Sequence, residues 1–589
     1  MRPWAEGASA VPAARSKSRP VTRDRAALAA GKCCPYVLEK YLYQRKNCVI
    51  MGPTTVLHRR PPERGFAGKG VLNMQQELEM KFYSNKTPKK GFSWETPPEP
   101  VPEAEIAETV TAEVIVLGGG ISGLAASARC ADRGLKVVTL DKNEKMQALA
   151  GQIAAVNSRV MAEKGITIDK KQLAADWLKM SGSRVQEDLL WLFINRSAEG
   201  FHWLLDLAGD CLEVGVYEAY KGPMFSEYPG THHIMLKKGC DKYKHWGGGL
   251  LACEILEKAF LEKGGTLLRG TAGLYLEKNE DGRVTGCVAK CADGKYRRYV
   301  GTKAVVLATG DCSDDREMLE AFCPIGTRPS KQVKRKGNTG DGQKMAFWAG
   351  AALDNPEWAA TLHTLGFSGY QGFFLHVNRL GRRFMNEDTW MQAKSVRCLM
   401  QPGGDFAYTV MDSKYLDEIG DRFYELGGQG MMPLSVVGDG YNREGMEKFV
   451  QKQIAEGNAF CADTLEELAE KMEVPAENLV QTVARYNEIV ASGDDVDYGK
   501  RQRLLTSVEQ GPFYALKWGP VLLDIFGGAQ IDTNLNVIGA DSKNIPGLYA
   551  VGNAAGGMYA VDYPLLLNGN SYGRALAYAM QLADVLCGQ

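Results

Sequence analysis

The sequence predicts an α/β chain that carries a second, mixed α+β module, and three observations predict it. Runs of β-branched residues and leucine at 114–117, 303–310 (KAVVLATG) and 547–553 (GLYAVGN) each read as a buried strand ending in glycine or just before it. An alanine-rich helix follows the first run and leads into a further strand, Lys136 to Leu140. Between 360 and 505 the text becomes mixed, with amphipathic helices such as TLEELAEKMEV at 464–474.

A chain of 589 residues is too long for one core, so two or three domains are expected. Its 70 basic and 70 acidic side chains cancel, which argues against binding nucleic acid or an anionic membrane through bulk charge. No apolar run approaches the roughly 18 residues that a membrane span needs. The 14 cysteines contain no CxxC, CxxCH or four-cysteine cluster, so no haem, iron–sulfur or other metal site is expected. The thiols read as buried and inert in a reducing cytoplasm. Residues 1–73 are rich in Pro and Arg, with Arg59-Arg60 followed by no apolar stretch. The natural start is expected at Met74 or Met80, and 1–109 is expected to be a largely disordered extension ending in a proline-rich lead-in at 86–104.

The first strand breaks into Gly118-x-Gly120-x-x-Gly123 before its helix. Gly118 permits a tight turn, Gly120 lets backbone N–H groups reach a pyrophosphate, and Gly123 lets helix and strand pack closely. The second strand ends in Asp141, 18 residues after Gly123, where a carboxylate holds a ribose hydroxyl. Strand, glycines, helix and acid together predict a dinucleotide site. Because distant segments at 303–310 and 547–553 return to the same nucleotide fold, the cofactor must be long, which points to FAD.

With these motifs in view, the chain resembles the flavoprotein family that includes fumarate reductase, succinate dehydrogenase, urocanate reductase and the 3-ketosteroid dehydrogenases. The resemblance spans roughly 110–585 and rests on six segments in order: VIVLGGGISGLAAS at 114–127, HWGGGLLACEILEKAFLEKGGTLL at 245–268, AVVLATGD at 304–311, NTGDGQKMAFWAGA at 338–351, LHVNRLGRRFMNED at 375–388 and IPGLYAVGNAAGG at 545–557. It implies a Rossmann-like FAD-binding domain at 110–352 and 506–589, with an inserted α+β capping domain at 353–505. Chemistry would take place between cap and flavin. The segment 148–159 lacks the His to which membrane-bound members attach FAD, so the resemblance implies non-covalent FAD. No second GxGxxG follows a strand, so no dedicated nicotinamide site is expected, and electrons come from an unidentified donor.

The final loop departs from the fumarate-type pattern. Members that grip dicarboxylates use a His and an Arg in a GGxHGxNRxGGNA loop, because charge-assisted bidentate hydrogen bonds suit carboxylates. This chain reads GGMYAVDYPLLLNGNS, with Tyr559 and Tyr563 at those two places. Met391 stands where the resemblance implies the proton-donating Arg. His363 and Val377 are only 14 residues apart, which leaves out a Thr-Glu and an Arg, and DIFGGAQID at 524–532 lacks a further His. Tyr563-Pro564 matches the Tyr-Pro pair of the ketosteroid enzymes. A phenol with a pKa near 10 can donate to a ketone oxygen.

The expected catalytic residues are therefore Tyr563, Tyr559 and His363. Lys394 and Arg397 read either as a replacement for the missing acid or, the commoner case, as solvated surface charge, and Leu565 to Leu567 as an apolar pocket wall. The expected cofactor contacts are Gly118, Gly120, Ile121, Ser122 and Gly123, then Asp141 and Lys142, and Ala150, Gly151 and Gln152. Thr309, Gly310, Asp311 and Asp341 follow, and finally Gly552 and Asn553, with Asn570 and Ser571 as N-cap residues of the last helix. The expected activity is that of an FAD-dependent oxidoreductase on CH–CH groups. It would reduce or introduce a C=C bond beside a carbonyl on an apolar 3-oxo substrate of steroid or bile-acid type. The alternative is a reductase of a small unsaturated carboxylate such as fumarate, urocanate or an acrylate, serving anaerobic electron disposal.

Overall fold

The computed structural model of the chain describes residues 91–148, 151–217, 220–329, 331–332, 337–423, 425 and 441–588. The main sheet runs in the order Asn536–Ile538, Asn544–Ala550, Tyr296–Leu307, Ile106–Leu117, Val137–Asp141, Thr266–Arg269. Every junction after the first is parallel, with Val114 opposite Val137 and Leu117 opposite Leu307. The strand ends at Val114–Leu117 and Ala304–Leu307 are buried on both faces, as parallel strands covered by helices require. Helix Ile121–Asp132 covers one face and is flanked by helix Gly248–Glu262 and the C-terminal helix Asn570–Cys587. The glycine-ended strands therefore converge at one edge, which is where a cofactor site forms in such sheets.

A second sheet is built around the long strand Phe513–Phe526. It pairs antiparallel with Ala359–Phe367, Ala407–Met411 and Ala459–Ala462, while Leu375–Val377 extends it beyond Ala407–Met411. This sheet reaches past the expected boundary at 505, since its central strand lies wholly beyond it. Helices Leu465–Met472 and Ala476–Ser492 bury Leu468, Met472, Leu479 and Val483 with residues of the sheet. Thr464 caps the first of them by accepting the Glu467 N–H at 3.2 Å. A third, small sheet joins Ile153–Ala154, Thr231–Leu236 and Leu212–Tyr217.

The segment LHVNRLGRRFMNED is held by buried ion pairs. Arg383 lies between Glu387 at 2.8 Å and Asp495 at 2.8 Å, and Lys500 Nζ is 3.4 Å from Glu387. Each carboxylate has a cationic partner, which offsets the cost of burying it.

Two expectations need correction. Residues 91–109 are anchored: Trp94 is 5% exposed, its ring lies 5.6 Å from Phe322 and 5.3 Å from Phe347, and the first strand already begins at Ile106. The prolines nearby suggest an open lead-in, but burial of an indole outweighs them. Lys394 is not surface charge. It is fully buried on helix Met391–Leu399, donates to the Gly372 carbonyl, and burial pushes its pKa down to about 7. Arg397 is half-buried and donates to the Asn386 carbonyl at 3.3 Å. Residues 1–90, including both expected start positions, lie outside the described residues. No helix among the described residues is long and apolar enough to cross a membrane.

Candidate active site

Strand Ile106–Leu117 runs through a glycine turn into helix Ile121–Asp132, and Gly118, Gly120 and, in the first turn of the helix, Gly123 each do something different. Gly118 has φ 115°, and a Cβ there would meet the Ala308 carbonyl oxygen at 2.2 Å. A Cβ on Gly123 would lie 1.8 Å from the Gly118 oxygen, so helix and strand close up only without a side chain. A Cβ on Gly120 would meet nothing within 4 Å, and no side chain caps the helix that starts beside it. The first N–H groups of the helix are left for a ligand, and they border a cleft of about 1150 Å³, counted to its open mouth. This cradle fits the pyrophosphate of a dinucleotide.

Of the expected contacts, Gly118, Gly120, Ile121, Ser122, Asp141, Lys142, Thr309, Gly310, Asp311, Asp341, Asn553 and Ser571 line the cleft. Asp141 Oδ2 accepts Arg269 at 2.7 Å and Oδ1 accepts the Asn143 N–H at 3.1 Å. Burial raises its pKa, and Asn143 and Arg269 oppose the shift. Lys142 donates to Asp341 at 2.7 Å and to Thr339 at 2.8 Å. Asp311 accepts Asn338 Nδ2 at 2.8 Å.

Gly123, Gly151, Gln152, Gly552 and Asn570 do not line the cleft. A Cβ on Gly151 would meet the Gly249 nitrogen at 2.3 Å, and one on Gly552 would meet Ser122 Oγ at 2.2 Å. Gln152 hydrogen-bonds Tyr217. Ala150 lies outside the described residues. Sequence reading passed over Asn143, Thr271, Asn338, Asp524 and Tyr572 among the lining residues. Asn338 and Asp524 were within reach, since each begins a glycine-containing segment already singled out.

Asn570 is not the N-cap of the last helix. The cap is Gly569 at φ 79°, a left-handed conformation that suits glycine. Asn570 is fully buried and ties the preceding loop together. Its Nδ2 donates to the carbonyls of Pro564 and Leu567, both at 2.8 Å, and its Oδ1 accepts the Tyr559 hydroxyl at 2.7 Å.

The two tyrosines lie in one apolar cluster with Phe526, Met391, Met558 and Leu565 to Leu567. Phe526 stacks on Tyr563 at 4.6 Å and packs against Tyr559 at 4.7 Å, and each tyrosine is 4% exposed. Their hydroxyls differ in use. The Tyr559 proton is given to Asn570. The Tyr563 oxygen accepts the Ser571 N–H at 3.3 Å, and its own proton has only a 3.5 Å contact with Ser571 Oγ. Ser571 lines the cleft and Tyr563, like Tyr559 and His363, does not, so Tyr563 stands behind Ser571. Burial pushes the Tyr563 pKa up to about 12 and that of Tyr559 well above its usual value, so both are neutral phenols near pH 7. The leucines do not wall an open pocket: all three are packed inside.

Behind Tyr559 lies Arg574, fully buried, with its guanidinium 4.6 Å from the ring centre and Nη2 bonded to Asn553 Oδ1 at 2.8 Å. It forms no ion pair among the described residues. Asp524, on strand Phe513–Phe526, also lines the cleft. Its charge acts on both His363 and Tyr563, raising their pKa values. His363 sits on the neighbouring strand opposite Val521, and burial pushes its pKa down to about 4 against that influence, so the imidazole is neutral. Its Nε2 has no hydrogen-bond partner among the described residues. Among the described residues, no group of three His, Cys, Asp or Glu could hold a metal ion.

A family model described as "FAD binding domain" matches residues 113–570. The chain is 27% identical over 469 residues to "Fumarate reductase (cytochrome)" of Shewanella frigidimarina, covering 77% of this chain and 73% of that one. It is 25% identical over 491 residues to "Vinyl phenol reductase" of Lactiplantibacillus plantarum, covering 79% and 94%. The solved structure of 3-ketosteroid-delta4-(5alpha)-dehydrogenase from Rhodococcus jostii RHA1 shares the fold, with a TM-score of 0.65 at 23% identity over 84% of this chain and 100% of that one. A glycine cradle open to a cleft at the ends of the parallel strands and a family match over most of the chain lead to one conclusion: this protein belongs to the FAD binding domain family and is an FAD-dependent oxidoreductase.

Proposed function

We propose that the protein reduces or introduces a C=C bond beside a carbonyl on an apolar 3-oxo substrate of steroid or bile-acid type. The observation that carries this reading is the hydroxyl of Tyr563. Its oxygen is engaged by a backbone N–H at the start of a helix, while its proton lacks a close acceptor, beside the cofactor cleft and against an apolar wall. A phenol held in this way donates to a carbonyl oxygen and polarises the adjoining alkene for attack at the β-carbon. Preorganised donors of this kind are worth about 10²- to 10³-fold in rate.

Bound FAD, held without a covalent link by the cleft residues named above, supplies the hydride chemistry. The residues of the chain do the rest. Tyr563 binds and polarises the carbonyl, Tyr559 fixes the loop through Asn570, and His363 borders the carbonyl end as a neutral imidazole. The cap, from about 353 to the end of strand Phe513–Phe526, excludes water. Electrons reach the enzyme from a donor outside the chain, and the reading sets the reaction in the cytoplasm.

A second reading, reduction of a small unsaturated carboxylate, is favoured by the fumarate reductase relative. It needs a cation at the tyrosine cluster. Arg574 is there, but it is buried under Tyr559 and bonded to Asn553.

Anaerobic stopped flow of the reduced protein separates the two. The proposed reading predicts fast reoxidation by 3-oxo-Δ4 or Δ1 steroids. Fast reoxidation by fumarate or urocanate, with steroids inert, overturns it.

A further inference from the structure

Arg574 is a fully buried cation without an ion-paired carboxylate among the described residues, and its surroundings call for an anion. It stands on the second turn of helix Asn570–Cys587, three residues after Ser571 and so on the same face. Helix side chains lean towards the N-terminus, here towards the cleft that Ser571 lines. The rings of Tyr559, Tyr578 and Phe526 lie 4.6, 5.9 and 5.9 Å from the guanidinium, which offsets only part of the cost of burying a charge. Asp354 feels this charge but forms no ion pair with it, and its Oδ2 accepts the Gly557 N–H at 2.8 Å. Arg574 Nη1 reaches the Ala555 carbonyl only at 3.4 Å, and Nε has no partner among the described residues. Its one short bond runs from Nη2 to Asn553 Oδ1 at 2.8 Å. That bond fixes which way the Asn553 amide points, since a guanidinium can only donate. The Asn553 backbone is held as well, by Gln343 Nε2 at 2.9 Å from its carbonyl. Asn553 lines the cleft, so with Oδ1 turned to Arg574 its Nδ2 is left as a donor for the cleft.

We propose that Arg574 sets the reduction potential of the bound flavin: it holds the Asn553 amide with Nδ2 towards the cofactor, and its own charge behind that amide favours the reduced state. Taking up two electrons and one proton gives the flavin one further negative charge. A fixed cation close by in a water-poor interior stabilises that form more than the oxidised one. Arg574 packs on Tyr559, and Tyr563 of the same cluster bonds Ser571 of the cleft wall, so the charge belongs to the tyrosine end of the cleft. Arg574 is thus a positioning residue that acts through Asn553 and through its field. The inference needs bound FAD but not the ketone reading, and it holds for either substrate class.

The test is an anaerobic titration of the FAD-loaded protein with dithionite against a dye of known potential, followed by flavin absorbance. Arg574→Met keeps an apolar stem and removes the charge. It should weaken binding of the reduced flavin relative to the oxidised form at least about ten-fold, a fall of about 30 mV for a two-electron couple. Arg574→Lys keeps the charge and should restore most of that shift. The affinity of each apoprotein for oxidised FAD, read from flavin fluorescence, separates cofactor retention from potential. A structural role alone weakens both oxidation states together, so an unchanged potential in Arg574→Met overturns the proposal. A potential that falls as far in Arg574→Lys as in Arg574→Met also overturns it. Should Arg574→Met fail to retain FAD, Arg574→Lys decides: the wild-type potential upholds the role of the charge, and a fall of about 30 mV contradicts it.

Discussion

The phenolic oxygen of Tyr563 accepts the backbone N–H of Ser571 at 3.3 Å, at the first turn of the helix that closes the cofactor cleft. A hydroxyl anchored through its oxygen keeps its proton for another acceptor. Tyr559, four residues earlier, is anchored through its proton instead, 2.7 Å from Asn570 Oδ1. The two tyrosines look equivalent in the sequence and differ in which half of the hydroxyl is committed.

That difference predicts unequal mutants. Tyr563→Phe should lower kcat/KM for an enone by about 10²- to 10³-fold, as loss of a preorganised donor does, with FAD still bound. Tyr559→Phe should mainly cost stability, about 1–3 kcal/mol, because Asn570 loses a buried partner. Steady-state kinetics and thermal unfolding of both variants check this, and a larger kinetic loss in Tyr559→Phe would contradict it.

The glycine cradle separates cofactor affinity from folding. Gly120→Val meets no protein atom within 4 Å of its Cβ but fills the space beside the helix start, so FAD affinity should fall at least about ten-fold with little change in unfolding of the apoprotein. Gly123→Ala puts a methyl 1.8 Å from the Gly118 oxygen and should destabilise the fold by about 1–3 kcal/mol. Flavin titration and thermal unfolding of each variant distinguish the two effects.

Asp562 lies between Tyr559 and Tyr563 and gives a pH signature. Burial raises its pKa to about 7, against hydrogen bonds from the Tyr563 backbone and Gln392, while an unfolded Asp titrates near 3.9. From pH 4 to 7 the folded state therefore holds the extra proton, so stability falls as pH rises through that window and the loss is complete above it. Three units correspond to about 4 kcal/mol, and because the residue is partly exposed the realised figure is nearer about 1–2 kcal/mol. Asp562→Asn should be more stable than wild type at pH 8 and equal to it at pH 4. Melting temperatures at both pH values decide, and a gain of the same size at both pH values would rule the effect out.

Cys211 and Cys240 place their sulfurs 2.7 Å apart, and both are partly exposed, unlike the inert buried thiols the sequence suggests. Excess oxidised glutathione should link them: the first thiol displaces one glutathione, and the second thiol then displaces the other to leave a disulfide. Peptide mass spectrometry without reduction should find the 211–240 crosslink. Free or merely glutathionylated cysteines would contradict the prediction.

The nucleotide half of the site was legible because its determinants are local. Gly118, Gly120, Gly123 and Asp141 fall within 24 residues of chain, and the spacing itself encodes strand, turn and helix. The catalytic half depends on contacts between distant segments. Asp524 reaches the cleft from the central strand of a sheet whose partner strand Ala359–Phe367 lies far back in the chain, and Asn570 serves a tyrosine 11 residues back rather than a helix cap. Lys394 was misread because nothing local says which face of a short helix is turned inward, and Trp94 because prolines around a lone indole resemble an open linker.

The central claim is that Tyr563 donates its proton to a substrate carbonyl. Vibrational difference spectroscopy of a bound enone, isotopically labelled at the carbonyl, tests it most directly. The C=O stretch should move to lower frequency on binding to the oxidised wild-type enzyme and return towards its value in apolar solvent in Tyr563→Phe. A stretch that is the same in the two proteins would contradict the account.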